Sequence, residues 1–168
     1  MPFTMRRASE SDVREAANLG CLLLREFAQR DPSRFPLIND PPEPGFEGFL
    51  ARCRLNPEYV VLVAEEEGRI VGYALGSLEA VNWTILAREH ALIQDVVVDP
   101  ESRGRGIGTA LVQRMVRELR TLGAERILLH MPIDNESARQ MYENCGFRAT
   151  MVEYYRGPED MTHEDSEG

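Results

Sequence analysis

The stretch Ile93-Gln94-Asp95-Val96-Val97-Val98-Asp99-Pro100-Glu101-Ser102-Arg103-Gly104-Arg105-Gly106-Ile107-Gly108-Thr109 decides the reading of this chain. It opens as a β-branched strand, closes it with Asp-Pro, passes through three glycines and enters a helical pattern. Ile107, Leu111, Met115, Leu119 and Leu122 then recur at helical spacing, which predicts a helix over about Gly106 to Leu122 with Gly123 just past its end. Ile127 to Met131 follows as another strand, stopped by Pro132, so the region is a β-α-β unit. Glycines at a strand-to-helix junction let backbone N–H groups turn toward an anion, and the helix N-terminus adds about half a positive charge. Arg103 and Arg105 strengthen that reading. The spacing G-x-G-x-G fails the dinucleotide fingerprint, because Thr109 and Leu111 stand near where a third glycine is required.

Outward from this unit, Phe3 to Arg7 predicts a short first strand, and Ser9 with Asp12 resembles a capping pair opening a helix. Val13, Ala16, Ala17, Gly20, Leu23, Leu24 and Phe27 form the buried stripe of that helix. Prolines 32, 36, 41, 42 and 44 predict an irregular loop from Asp31 to Gly45, and Phe46, Phe49, Leu50 and Cys53 a second, short helix. Tyr59 to Ala64 and Ile70 to Leu78 read as a hairpin turning at Gly68, and Ala91 to Val98 as a further strand. Beyond Pro132, Asn135 caps a last helix carrying Ala138, Met141, Tyr142 and Cys145 on one face. Gly146 ends it, and Phe147 to Tyr155 reads as a final strand. The expected order is β-α-α-β-β-β-α-β-α-β, an α/β protein on a mixed sheet.

Composition narrows the function. The 168 residues suit one domain, expected over 1–157, with an acidic tail over 158–168 expected to be disordered. Formal charge is −9, and five of those charges come from acids at or beyond Glu159, where no arginine stands. An acidic chain is a poor partner for nucleic acid, which rewards cationic surfaces. All nineteen basic residues are arginine, so neither a P-loop lysine nor a Schiff-base lysine exists. Cys21, Cys53 and Cys145 are odd in number and widely spaced, and read as buried thiols. His130 and His163 show no metal-ligand spacing, so no metal is expected. No run approaches the roughly 18–20 apolar residues of a membrane span, and Met1 to Arg7 lacks an apolar leader. A cytoplasmic setting is expected, without a membrane partner.

Two motifs together resemble the GCN5-related N-acetyltransferase (GNAT) family. Arg103-x-x-Gly106-x-Gly108 matches its acetyl-coenzyme A motif R/Q-x-x-G-x-G/A. Asn135 to Phe147 matches its N-x-x-A-x-x-x-Y-x-x-x-G-F segment through Asn135, Ala138, Tyr142, Gly146 and Phe147. The clear match covers about Ile93 to Phe147. The resemblance implies a GNAT-like fold with splayed fourth and fifth strands, between which the pantetheine arm of acetyl-CoA pairs with backbone groups of Val96 and Val98. It implies that Arg103, Gly104, Arg105, Gly106, Ile107, Gly108 and Thr109 hold the pyrophosphate, that Asn135 contacts or positions the pantetheine, and that Tyr142 lies near the thioester sulfur as general acid. It also implies direct transfer of the acetyl group to a primary amine of a small molecule or peptide, and a dimer formed near Tyr154-Tyr155.

The sequence departs from the family at Gln94, which stands where many members place a glutamate base. Glutamine cannot take a proton, although it can orient a water. Asp95 and His90 are the alternatives, with Glu89 behind them. Strict strand alternation puts His90 and Gln94 on one face and Asp95 on the other, unless a bulge breaks the parity. Gln94 also motivates a second reading, a catalytically silent acyl-CoA-binding sensor or regulatory module of the same fold.

Overall fold

A computed structural model describes residues 3–38, 40–84 and 87–157. Its sheet has five strands in sequence order: β1 (Thr4–Arg7), β2 (Tyr59–Glu66), β3 (Arg69–Glu79), β4 (His90–Val98) and β5 (Ile127–Leu129). β1 to β4 are antiparallel, and β5 joins β4 in parallel. Helix α3 (Ile107–Thr121) makes the crossover between β4 and β5 that a parallel pair requires. Helices α1 (Val13–Arg30) and α2 (Glu43–Leu55) precede the β2–β3 hairpin, and α4 (Glu136–Asn144) follows β5.

The apolar patterns divide between two faces of the sheet. Ile107, Leu111, Met115 and Leu119 of α3 pack on Leu62, Ala74, Ala91 and Ile93. On the other face, Ala16 and Ala17 of α1 and Leu50 and Cys53 of α2 meet Val61, Val63, Tyr73, Leu75 and Val97. Each strand therefore sends alternate residues into different cores, which is why β2 and β3 read as nearly continuous apolar runs.

Three local features differ from expectation. Helix α2 begins at Glu43, inside the segment expected to be loop, because Pro44 falls in its first turn, where a missing N–H costs nothing. At the β2–β3 turn Glu67 also takes a positive φ, 50°, beside Gly68 at 80°. The third difference is a correction: Phe147 to Tyr155 forms no strand. That segment is instead tied by side chains to the loop after α1. The Tyr155 hydroxyl donates to the Ser33 carbonyl at 3.0 Å, and Arg34 Nε donates to Glu153 at 2.6 Å. Met151 and Tyr154 remain 71% and 93% exposed, so β-prone side chains here have no second layer to pack against. The acidic tail expected over 158–168 lies outside the described residues.

The first strand is anchored by charge. Arg6 binds both Asp12 and Glu65, and the Ser9 amide donates to Asp12 at 2.6 Å, which joins β1, β2 and the entry to α1. Asp12 is held far below the usual carboxylate range, chiefly by hydrogen bonds from Arg6 and against the opposing effect of burial. Among the described residues, no helix is long and apolar enough to cross a membrane.

Candidate functional site

β4 changes character halfway along. Ala91, Leu92 and Ile93 pair with Ile127, Leu128 and Leu129 of β5, and the ladder then stops. On the β3 side Ile93 faces Gly76 and Asp95 faces Leu75, which leaves Gln94 as the extra residue of a β-bulge. The bulge has two consequences. It first switches which backbone groups face outward. Ahead of it, the Ala91 amide points to the β5 side and donates to Arg126. After it, the Asp99 amide points to β3 and donates to Val71, so alternation turns Val96 and Val98 toward the open edge. The resemblance expects the pantetheine arm to pair with these two residues.

The second consequence concerns side chains. Ile93, Val96 and Val98 lie with the α3 core, and Val97 with the α1–α2 core. Asp95 pairs with Leu75 and accepts a hydrogen bond from Tyr73, both members of the α1–α2 core. Gln94 donates to Ser77 on that same face at 2.8 Å. Gln94 and Asp95 therefore share one face, with His90 brought there by its pairing opposite Glu79. The expectation of opposite faces from strict alternation is corrected by the inserted residue.

Burial raises the Asp95 carboxyl above the ordinary range, while the Tyr73 hydrogen bond pulls it the other way. Tyr73 is itself completely buried, and burial with the adjacent Asp95 pushes its hydroxyl well above the usual tyrosine value. His90 is buried, with Nδ1 2.8 Å from the Arg88 carbonyl, so one ring nitrogen is already committed. Sequence reading does not single out Tyr73, Ser77 or Glu79. The available signal was Tyr73 and Ser77, two polar residues four apart within the apolar run 70–78.

At the far end of β4, Asp99 caps the 3₁₀ turn Pro100–Ser102 by accepting from the Glu101 amide at 2.9 Å. Gly104 and Gly106 follow with φ of 77° and 81°, and a Cβ on either would meet no atom within 4 Å. The left-handed Gly106 is the N-cap of α3, so the chain enters the helix with open space beside Gly104 and Gly106. Both arginines of the turn have partners. Arg105 binds Glu66 at 2.8 Å, and Arg103 Nε donates to the Val98 carbonyl at 3.2 Å with Glu26 3.9 Å from its guanidinium. Arg105 holds Glu66 below its usual range.

Helix α4 closes the other side. Asn135 caps it by accepting from the Ala138 amide at 3.1 Å, and Met141 lies so near α3 that a Cβ at Gly108 would stand 3.1 Å from its sulfur. Tyr142 packs against the α3 core with Val96 and Val98, edge-on to Phe147 at 6.0 Å. Burial, then Asp95, then Cys145 push its hydroxyl up to about 12. Glu89, by contrast, helps line a separate concavity of about 690 Å³ with Trp83, Arg88 and Arg126, near the N-terminal end of β4. None of the glycine-turn or α4 residues lines that hollow. Among the described residues no three His, Cys, Asp or Glu side chains are grouped to hold a metal ion, and His163 lies outside them.

The chain is similar to several known proteins. Over 92 residues the chain is 36% identical to an uncharacterised N-acetyltransferase of Methanocaldococcus jannaschii, covering 54% of this chain and 39% of that one. It is 29% identical over 121 residues to a mycothiol acetyltransferase of Propionibacterium freudenreichii, covering 69% and 36%. The chain thus spans less than half the length of these curated relatives. The structure superposes on the tetramutant of a Bacillus halodurans protein with a TM-score of 0.75 and 22% identity, covering 91% of this chain and 98% of that one. The model of the acetyltransferase (GNAT) family matches residues 23–147, from within α1 to Phe147, where the chain leaves α4. With that match over residues 23–147, and a bulged β4 whose ladder to β5 ends beside a glycine turn and a capped α4, the chain belongs to the GNAT acetyltransferase family.

Proposed function

We propose that this protein transfers the acetyl group of acetyl-CoA directly to a primary amine of a small molecule or peptide. The observation that carries the reading is the outward turn of Val96 and Val98 at the point where β5 ends, between the glycine turn and Tyr142. An extended pantetheine arm suits a strand edge whose amides turn away from the β3 ladder, since unpaired backbone groups are costly to leave dry. The pyrophosphate suits the open space beside Gly104 and Gly106, which a side chain would enter. Ile107, Gly108 and Thr109 contribute amides of the first turn of α3, where an anion is stabilised. Arg103 and Arg105 flank the turn and would exchange their present carboxylate or carbonyl partners for phosphate oxygens. Asn135 has committed its side-chain oxygen to the cap, which leaves its Nδ2 for the pantetheine.

The coenzyme supplies the activated acyl group, and the chain supplies placement and protons. The Val96 amide, facing the open edge, is placed to donate to the thioester oxygen as charge builds on it. A C–N bond forms, the C–S bond breaks, the amine loses one proton and the sulfur gains one. Tyr142 stays protonated at neutral pH. Its raised pKa makes it a weak acid, so its main contribution is a hydrogen bond to the departing sulfur as that atom becomes negative. Asp95 and His90, on the face opposite α3, are the candidates to take the amine proton, and burial raises the Asp95 carboxyl above its ordinary range.

Thiol release from acetyl-CoA in the presence of a primary-amine panel tests the reading. Amine-dependent release supports it. Tight CoA binding without release with any amine would instead favour the silent acyl-CoA-binding module.

A further inference from the structure

Gln94 occupies the place where the resemblance calls for a carboxylate, and the structure surrounds it with a directional hydrogen-bond chain. Gln94 Nε2 donates to Ser77 Oγ at 2.8 Å, and Ser77 Oγ donates to Glu79 Oε1 at 2.5 Å. Ser77 is completely buried and pairs across the ladder with Leu92, while Glu79 ends β3 opposite His90. The bulge is what brings Gln94 beside Ser77.

Donor counting fixes the direction of this chain. An ionised carboxylate only accepts, so the single hydroxyl hydrogen of Ser77 goes to Glu79. The Ser77 oxygen must then accept from Gln94, and only the amide nitrogen of Gln94 can supply that hydrogen. The carbonyl oxygen Oε1 is consequently turned away from Ser77. Among the described residues it receives no hydrogen bond. Ser77 alone would not decide this, since a hydroxyl can donate or accept and the amide could then face either way. Glu79 is the residue that polarises the chain.

We propose that Glu79 and Ser77 are positioning residues that hold the Gln94 amide with its carbonyl oxygen toward the acceptor amine, where it accepts an N–H hydrogen bond. The inference rests on the transferase reading. It explains how a site with glutamine in place of a carboxylate can still orient a nucleophile: glutamine offers a fixed acceptor, and the carboxylate that fixes it comes from the neighbouring strand. Orientation alone is worth having, because a misdirected nucleophile loses much of the advantage of being bound.

The test compares wild type, Glu79→Gln, Ser77→Ala and the double variant. The probe is whichever of spermidine, glucosamine, kanamycin or a lysine-containing peptide gives the fastest thiol release with wild type. Glu79→Gln keeps shape but can donate or accept, which removes the directional bias; Ser77→Ala breaks the chain. Both should raise KM for the amine about 3- to 10-fold, the usual worth of one hydrogen bond, with kcat changed less and the CoA-induced melting shift unchanged. The double variant should be no worse than Ser77→Ala, because the two residues act in series. Fully additive effects, or an unchanged amine KM in the folded variants, would overturn the proposal while leaving the transferase reading standing. A wild type that binds CoA yet releases no thiol with any amine would overturn that reading and this inference with it. Should Ser77→Ala fail to fold, Glu79→Gln at its partly exposed position decides alone.

Discussion

The two sides of the sheet treat their backbone groups differently. From β1 to β3 every strand runs against a neighbour along its length, and the Arg6, Asp12 and Glu65 network ties the edge to the entrance of α1. From β4 to β5 the ladder lasts three residue pairs and then stops, leaving Val96 and Val98 turned to an open edge. On the closed side the backbone polar groups pair with one another; on the open side, where the Val98 carbonyl accepts from Arg103 Nε, the proposed role of the edge is to pair with acetyl-CoA. Substitutions on the open side should therefore alter binding and rate with little effect on stability, and those on the closed side the reverse.

The largest effect is expected at the glycine turn. Gly106→Val places a β-branched residue at φ 81°, and its side chain enters the open space proposed for the pyrophosphate. CoA should stabilise wild type against melting and leave this variant unshifted, because a ligand stabilises only the state it binds. Retained CoA affinity would break the comparison at its strongest point. Tyr142→Phe comes next. It keeps the ring against Phe147 and removes the donor, so single-turnover rates should fall by about 10² to 10³ with CoA affinity within a few fold. A tyrosine that serves packing alone predicts an intact rate and a lowered Tm.

Asp12→Ala probes the closed side. Losing charge-assisted bonds to Arg6 and the Ser9 amide should cost about 2 kcal/mol, or about 4–8 °C in Tm for a domain of this size, with turnover per folded molecule unchanged. The sign with pH follows from the lowered Asp12 pKa. Its stabilisation is complete above the unfolded carboxyl value of about 3.9 and is lost as pH falls toward the folded value, so the Tm gap should narrow below about pH 4. A gap that stays constant in acid would show that the carboxylate is not the source.

The smallest effect sharpens the boundary between the two sides. Asp95 has a raised pKa, so its ionisation costs stability above the folded value, and that cost vanishes below about pH 4. Asp95→Asn keeps an acceptor for Tyr73 and removes the buried charge. Its Tm at pH 7 should rise by a degree or two, and the gain should disappear toward pH 4. A lowered Tm at pH 7 would make Asp95 a structural member of the closed side.

Much of this protein is legible without coordinates. The strand, glycine turn and helix from Ile93 to Leu122 are dictated by local chemistry: β-branched residues, Asp-Pro closure, glycines able to take positive φ and an apolar stripe at helical spacing. The cap at Asn135 is local as well, since its acceptor lies three residues away. The Asn135 to Phe147 match needs no tertiary knowledge either.

What only the tertiary structure decided is whatever depends on pairing across the chain. Whether β4 carries a bulge depends on how Gly76 and Leu75 align with it, and that one inserted residue moves Asp95 onto the face of Gln94. Ser77 and Glu79 acquire meaning only because β3 lies beside β4. Phe147 to Tyr155 has strand-forming residues and yet makes no strand, because strand propensity is realised only when an edge and a second layer are available to complete it. Periodicity and turn chemistry are written in neighbours along the sequence, whereas register, face and partner are set by residues tens of positions away.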